Sequence, residues 1–198
     1  MISVYQIKPA FQRLLKPILR TLYNNSITAN QITVSAIMLS AGLGYMFLHY
    51  QEYPIILLLL PLGLLLRMAL NALDGMMARQ YNMQSKLGEI LNELGDVISD
   101  LVIIFPFVVI PNVADPIIIL CGVLAILNEF SGLLGRALGG ERRYDGPMGK
   151  SDRALVIGLF CIAFYVWRDI ELYTNWVFGV MCLLMMISTF IRLKKALL

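Results

Sequence analysis

The strongest constraint on this chain is the recurrence of long apolar runs with few polar side chains between them, the densest being Ile55–Leu60. A helix that crosses a bilayer needs roughly 20 mostly apolar residues to cover the hydrocarbon core. Runs of that length occur at about 30–50, 54–79, 86–111, 115–138, 152–170 and 174–193. A spanning β-barrel would instead alternate apolar and polar residues in segments of about 10. Of the 198 residues 59% are apolar and 15% charged, against roughly 45–50% and about 25% in a soluble domain. One soluble domain of this length cannot hide so much apolar surface. The expected fold is an all-α integral membrane protein: one domain over 1–198 with six transmembrane helices, preceded by an amphipathic surface helix at 1–22.

That first segment is not expected to be a signal peptide, because no uninterrupted apolar core follows its charges. Phe11, Leu14, Leu15, Ile18, Leu19 and Leu22 recur at helical spacing, with Arg13, Lys16 and Arg20 on the other face. This pattern predicts a helix lying in the membrane surface, which Pro17 is expected to kink or break. With six spans, fourteen of the sixteen Lys and Arg residues fall on one side: those before the first span, those closing the chain, and those around the loops near 80–86 and 136–153. By the positive-inside bias, both termini and both basic loops are expected in the cytoplasm. Cys121, Cys161 and Cys182 each sit in an apolar run and are expected to be buried thiols without metal spacing.

Spans two and three break the apolar pattern. They carry Arg67, Asn71, Asp74, Glu89, Asn92, Glu93, Asp96 and Asp100, and each ionisable group at the bilayer centre costs a few kcal/mol. At about 100° per residue, Glu89, Glu93, Asp96 and Asp100 share an arc of roughly 60°. Arg67, Asn71 and Asp74 share a face of span two, with Gly75 and Ala78 beside them. A short connection makes the two spans antiparallel neighbours, with Gly75, Ala78 and Gly88 leaving room for a cleft and for close approach. Oxygen-rich ligation without thiolate suits a hard divalent cation. Arg67 lies about 18 Å along its helix from Arg79, and Asp100 about 21 Å from Lys86. A buried Arg67–Asp100 pair is therefore expected; Glu93, Glu129 or a substrate oxygen are the other partners open to Arg67. Glu129 of span four is either a cleft residue or a hydrogen bonder between helices.

The run Asn71-Ala-Leu-Asp74-Gly75-Met-Met-Ala78-Arg79, followed by Gly88, Asn92 and Asp96, resembles the signature of the CDP-alcohol phosphotransferase family, D-x2-D-G-x2-A-R-x8-G-x3-D-x3-D. Six of its eight fixed positions are present. The lead-ins Thr28-Ala-Asn30-Gln-Ile-Thr33 and Gly149-Lys150-Ser-Asp-Arg153 are similar as well. The resemblance implies transfer of a phosphatidyl group from a CDP-alcohol such as CDP-diacylglycerol to a small alcohol, with release of CMP, in phospholipid synthesis at a bacterial inner membrane. It implies Mg²⁺ or Mn²⁺, and a homodimer, with no role for nucleic acid. Carried over by position, Asp74 is a metal ligand and Asp96 both ligand and general base, with Asn71 and Asn92 at the remaining ligand positions. Arg79 would neutralise phosphate, and Gly75, Ala78 and Gly88 would make room for the nucleotide. Lys150 and Arg153 would attract an anionic, phosphorylated acceptor, or else only set topology.

The chain departs from the signature at Asn71 and Asn92, where aspartate is usual. An amide oxygen can still meet a hard cation but brings no charge. Glu89, Glu93 and Asp100, on the same helix face, are candidate auxiliary ligands. The alternatives are a family member that binds CDP-lipid without turning it over, and a membrane transporter, since charges inside a bilayer also mark permeation paths.

Overall fold

The computed structural model describes residues 8–198, with side chains from Phe11 onward; the first seven residues of the expected surface helix, and the Lys8 side chain, lie outside the described residues. Seven α-helices follow in order: α1 Lys8–Asn24, α2 Ala29–Phe47, α3 Ile56–Gln80, α4 Lys86–Ile104, α5 Asp115–Ala137, α6 Lys150–Val166 and α7 Thr174–Ala196. Short 3-10 segments at Phe105–Val109 and Arg168–Tyr173 follow α4 and precede α7. No strand occurs among the described residues.

Local chemistry sets the helix starts. Ser26 takes a positive φ of 58°, and the chain turns by 113° between α1 and α2. Thr28 then caps α2: its Oγ1 accepts from Gln31 N at 3.3 Å while Gln31 Oε1 accepts from Thr28 N at 2.8 Å. Such a reciprocal box satisfies two orphan donors at once. Ser85 Oγ accepts from Gly88 N at 3.0 Å to start α4, and Asp152 Oδ2 accepts from Gly149 N at 3.1 Å to start α6.

Three boundaries differ from expectation. Pro17 does not break α1, which runs through it; Pro17 is exposed, so the carbonyl it leaves without an intrahelical donor can be solvated. The third span tightens to 3-10 geometry at Phe105 because Pro106 supplies no amide hydrogen. The fifth ends at Val166, with Trp167 extended. By length and apolarity alone, three helices qualify to cross a membrane, namely Ile56–Gln80, Asp115–Ala137 and Arg168–Ala196, or four if α1 and α2 form one broken span. The α4 segment falls short because it carries Lys86, Glu89, Glu93, Asp96 and Asp100, and α6 is only 17 residues long. Many large apolar side chains face outward, among them Leu62, Leu65 and Leu66 of α3. A surface this apolar belongs in lipid rather than water.

An aromatic layer lies at the end of the bundle opposite the basic segments. Phe47 stacks on Phe107 with centroids 4.3 Å apart, and Phe107 meets Phe178 at 5.1 Å. Tyr50, Phe160 and Phe164 extend this aromatic layer. Cys121, Cys161 and Cys182 are all buried, as expected. At the other end lie the basic segments. The Tyr23 and Tyr81 rings stack at 3.7 Å, joining α1 to the end of α3. Arg136 of α5 pairs with Glu89 of α4, and Lys195 of α7 pairs with Asp145 in the α5–α6 loop. The charge clustering inferred from the sequence is therefore present at one end of the fold.

Candidate active site

The polar faces of α3 and α4 meet across a gap. The α2 helix packs on both, while α3 and α4 have little backbone contact with each other. Glycine makes the α2–α4 crossing tight: a Cβ on Gly44 would run into the Val102 carbonyl, and one on Gly95 would lie 2.6 Å from Ile37 Cδ1. Gly75, Ala78 and Gly88, expected to leave room for a cleft and for close approach, do line the cleft, but the close approach is not between α3 and α4. A Cβ on Gly88 would instead lie 2.6 Å from Asn30 Oδ1 of α2, and one on Gly75 would face the Arg79 guanidinium at 3.4 Å. Gly88 lets α4 come close to Asn30 of α2, and α2 packs on both polar helices while side chains join them across the gap.

Across that gap the four positions of the signature pair crosswise. Asn92 Nδ2 on α4 donates to Asp74 Oδ2 on α3 at 3.4 Å, and Asn71 Nδ2 on α3 donates to Asp96 Oδ1 on α4 at 3.3 Å. Thr33 Oγ1 of α2 also donates to Asp74 Oδ2, at 2.9 Å. Lys150 Nζ, at the start of α6, reaches Asp96 Oδ2 at 2.6 Å. The Asp74 Oδ1 atom is buried and has no hydrogen-bond partner. Buried polar atoms are rarely left so, and this one marks a place for a bound group.

A buried ionic network stands beside the quartet. Arg67 Nη2 pairs with Asp100 Oδ1 at 2.8 Å, the partner expected from helix geometry. Arg153 pairs with the other oxygen of Asp100, bonds Glu129 Oε1 at 2.8 Å, and donates to the Met148 carbonyl at 3.0 Å. Arg142, from the α5–α6 loop, forks between Glu93 at 2.5 Å and Glu129 at 2.9 Å. Burial disfavours the charge on Arg142, but Tyr144, Glu93 and Glu129 outweigh it and raise its pKa above the ordinary value. Glu129 is thus a bridge between helices and loop. Arg67, Asp100 and Arg153 are at most 5% exposed, so their charges are spent on one another.

A cleft of about 560 Å³ opens at the basic end, within the size range of small-molecule sites. Asp74, Gly75, Ala78, Arg79, Gly88, Glu89, Asn92 and Glu93, all singled out in the sequence, line it. Asn71, Asp96 and Lys150 adjoin it through the bonds just described. Arg67, Asp100, Glu129 and Arg153 do not line it. Asn30, Thr33, Arg136, Arg142 and Tyr144 do line it and were not among the expected site residues. Asn30 and Thr33 lie in the stretch already noted for its resemblance; the arginines read only as topology charges, since nothing in their spacing shows that the loop folds back onto α4.

The donor set is all oxygen. Among the described residues no group of three or more His, Cys, Asp and Glu side chains converges as a metal cluster, because two of the four signature positions are amides. Two carboxylates with the orphaned Asp74 oxygen, and two amides whose half turn would present Oδ1 in place of Nδ2, still fit a hard divalent cation.

The chain is similar to proteins already known. The family model for CDP-alcohol phosphatidyltransferase matches residues 26–191. The inner membrane protein YnbA of Escherichia coli (strain K12) is 44% identical over 196 residues, covering 99% of this chain and 97% of YnbA. Two crystal structures of Mycobacterium tuberculosis phosphatidylinositol phosphate synthase (PgsA1) share the fold. The one with CDP-DAG bound superimposes with a TM-score of 0.75 at 18% identity, covering 93% of this chain and 94% of that one. The complex with manganese and citrate gives 0.74 at 17% identity, covering 91% and 87%. With most of its length inside the family model and its signature residues gathered at one cleft, the chain belongs to the CDP-alcohol phosphatidyltransferase family.

Proposed function

We propose that this protein transfers a phosphatidyl group from a CDP-alcohol, CDP-diacylglycerol or a close relative, to the hydroxyl of a small alcohol and releases CMP. The observation that carries the reading is the crosswise pairing of Asn71 with Asp96 and Asn92 with Asp74 at the edge of a cleft. It supports one working centre assembled from two helices. Asp74 and Asp96, with the amide oxygens of Asn71 and Asn92, would hold Mg²⁺ or Mn²⁺. When bound, such an ion neutralises charge on the diphosphate.

The chain's own groups supply the rest. Gly75, Ala78 and Gly88 leave the wall bare for the nucleotide, and Arg79 faces its phosphates. Asp96 takes the proton of the acceptor hydroxyl as that oxygen attacks phosphorus, a role worth roughly 10²–10⁴ in rate. Lys150, already on Asp96, orients that carboxylate and draws an anionic acceptor toward it. Glu89 and Glu93 flank the acceptor side as auxiliary groups. Arg153, with Asp100, Arg67 and Glu129, keeps the frame of the cleft rather than touching the acceptor. The same residues neutralise one another inside the bundle beside the quartet, which argues against a permeation path. As a single domain of six spans in a bacterial inner membrane, with both termini cytoplasmic, the protein would take lipid from the side and nucleotide from water. A homodimer is part of this reading and rests on the family alone.

Purified protein incubated with labelled CDP-diacylglycerol, Mn²⁺ and a panel of alcohols tests the proposal. The expected result is metal-dependent CMP release that falls at least about 100-fold in Asp96→Asn. CDP-lipid binding with no release for any acceptor would favour the binding-only reading, which the two asparagines support.

A further inference from the structure

A second hollow lies outside the cleft, between α1 and the last turns of α3. It is an open depression of about 640 Å³ lined by Gln12, Arg13, Lys16, Met76, Arg79 and Gln80. Three of these six are cations and none is a carboxylate. Around the neighbouring cleft Arg136, Arg142 and Lys150 are each neutralised by a glutamate or aspartate. Arg13, Lys16 and Arg79 have no ion-pair partner among the described residues. Like charges brought together without counter-charge make a site for an anion.

The position of α1 says which anion. Leu15 and Leu19 pack into a cluster with Leu73, Met76 and Met77 of α3, while Leu14 and Ile18 remain 72% and 50% exposed. With the 113° turn into α2, α1 lies across the basic end of the bundle, and amphipathic helices so placed sit among headgroups. Phosphate is the abundant anion there, and polybasic segments gain their binding from anionic lipid. A hollow with cations above and uncovered apolar side chains alongside suits a headgroup phosphate with its acyl chains better than an ion from water.

We infer that this hollow binds the phosphate of an anionic membrane phospholipid, held by Arg13 and Lys16 of α1, as a site beside the catalytic cleft with Arg79 of α3 on the border the two share. A lipid seated there clamps α1 to α3. Because Arg79 borders both hollows, it also braces one wall of the cleft. The inference does not depend on the catalytic reading.

Native mass spectrometry of the full chain in non-ionic detergent, loaded with phosphatidylglycerol or phosphatidylcholine, provides the test. The wild type is expected to retain phosphatidylglycerol over phosphatidylcholine by at least about tenfold. Arg13→Glu with Lys16→Glu should abolish that preference. Arg20→Glu, on the same helix but outside the hollow, should keep it, and excess inorganic phosphate should not displace the lipid. Gln replacements at residues 13 and 16 serve as the second pair where charge reversal detaches α1, with helicity by circular dichroism as the control. Undiminished preference in the 13/16 variants, equal loss in the Arg20 variant, or displacement by inorganic phosphate would each overturn the inference.

Discussion

Asp100 is the carboxylate on which most of the buried charge depends. It faces Arg67 on one oxygen and Arg153 on the other. Replacing Arg67 by Met leaves Asp100 still neutralised by Arg153, whereas Asp100→Asn strands the buried Arg67 guanidinium and leaves Arg153 only Glu129. Stranding a buried charge costs roughly 3–5 kcal/mol. The expected order in a thermal-unfolding series is therefore wild type, Arg67→Met, then Asp100→Asn as the least stable. The double variant should be non-additive by about 1–3 kcal/mol, and strict additivity would contradict the pairing. A simple charge swap between 67 and 100 is a poor probe, because it sets Arg153 against another arginine. At this scale the sequence was informative where helical spacing fixes depth, as for Arg67 and Asp100. It was silent on Arg142, whose two partners come from α4 and α5 through a loop fold that no periodicity encodes.

Among elements, α2 packs on both helices of the site although it carries no charged residue. Its packing between α3 and α4 was not legible, because a short α3–α4 connection suggests direct contact between those two. The deciding features are Gly44 and Gly95, which look like ordinary membrane-helix glycines. They are not equivalent. A methyl at 44 meets the Val102 backbone, while one at 95 meets the flexible tip of Ile37. Gly44→Ala is accordingly expected to lower the melting temperature, and the proposed phosphatidyl transfer with it, more than Gly95→Ala. Equal effects would mean that α2 and α4 do not cross as closely as described. The ends of α4 and α6 were readable only in part: Pro106 signals a change at its own position but not that the chain continues as a 3-10 turn.

For the whole molecule, the gathering of basic residues at one end follows from the sequence because loops between antiparallel spans return to the same side. The number of spans is harder to read, since α4 buries Asp96 and Asp100 in the bundle, charges that make it a poor membrane helix in isolation. The proposed orientation has a direct check in cysteine labelling, to which the buried Cys121, Cys161 and Cys182 should contribute little background. A membrane-impermeant maleimide should label Gln51→Cys in intact spheroplasts and Gln84→Cys only after lysis. The reverse pattern would invert the topology and place the cleft on the wrong side for a cytoplasmic nucleotide.

The central claim is that Asp74, Asp96 and their two asparagine partners hold a cation against the diphosphate of a CDP-lipid. Electron–nuclear double resonance on Mn²⁺ bound to the purified protein, with CDP-diacylglycerol present, measures this contact through the coupling between manganese and phosphorus-31. The account predicts a phosphorus coupling in the wild type that is lost in Asp74→Asn and in Asp96→Asn. Mn²⁺ bound with no phosphorus coupling, or a coupling unchanged by both substitutions, would contradict it.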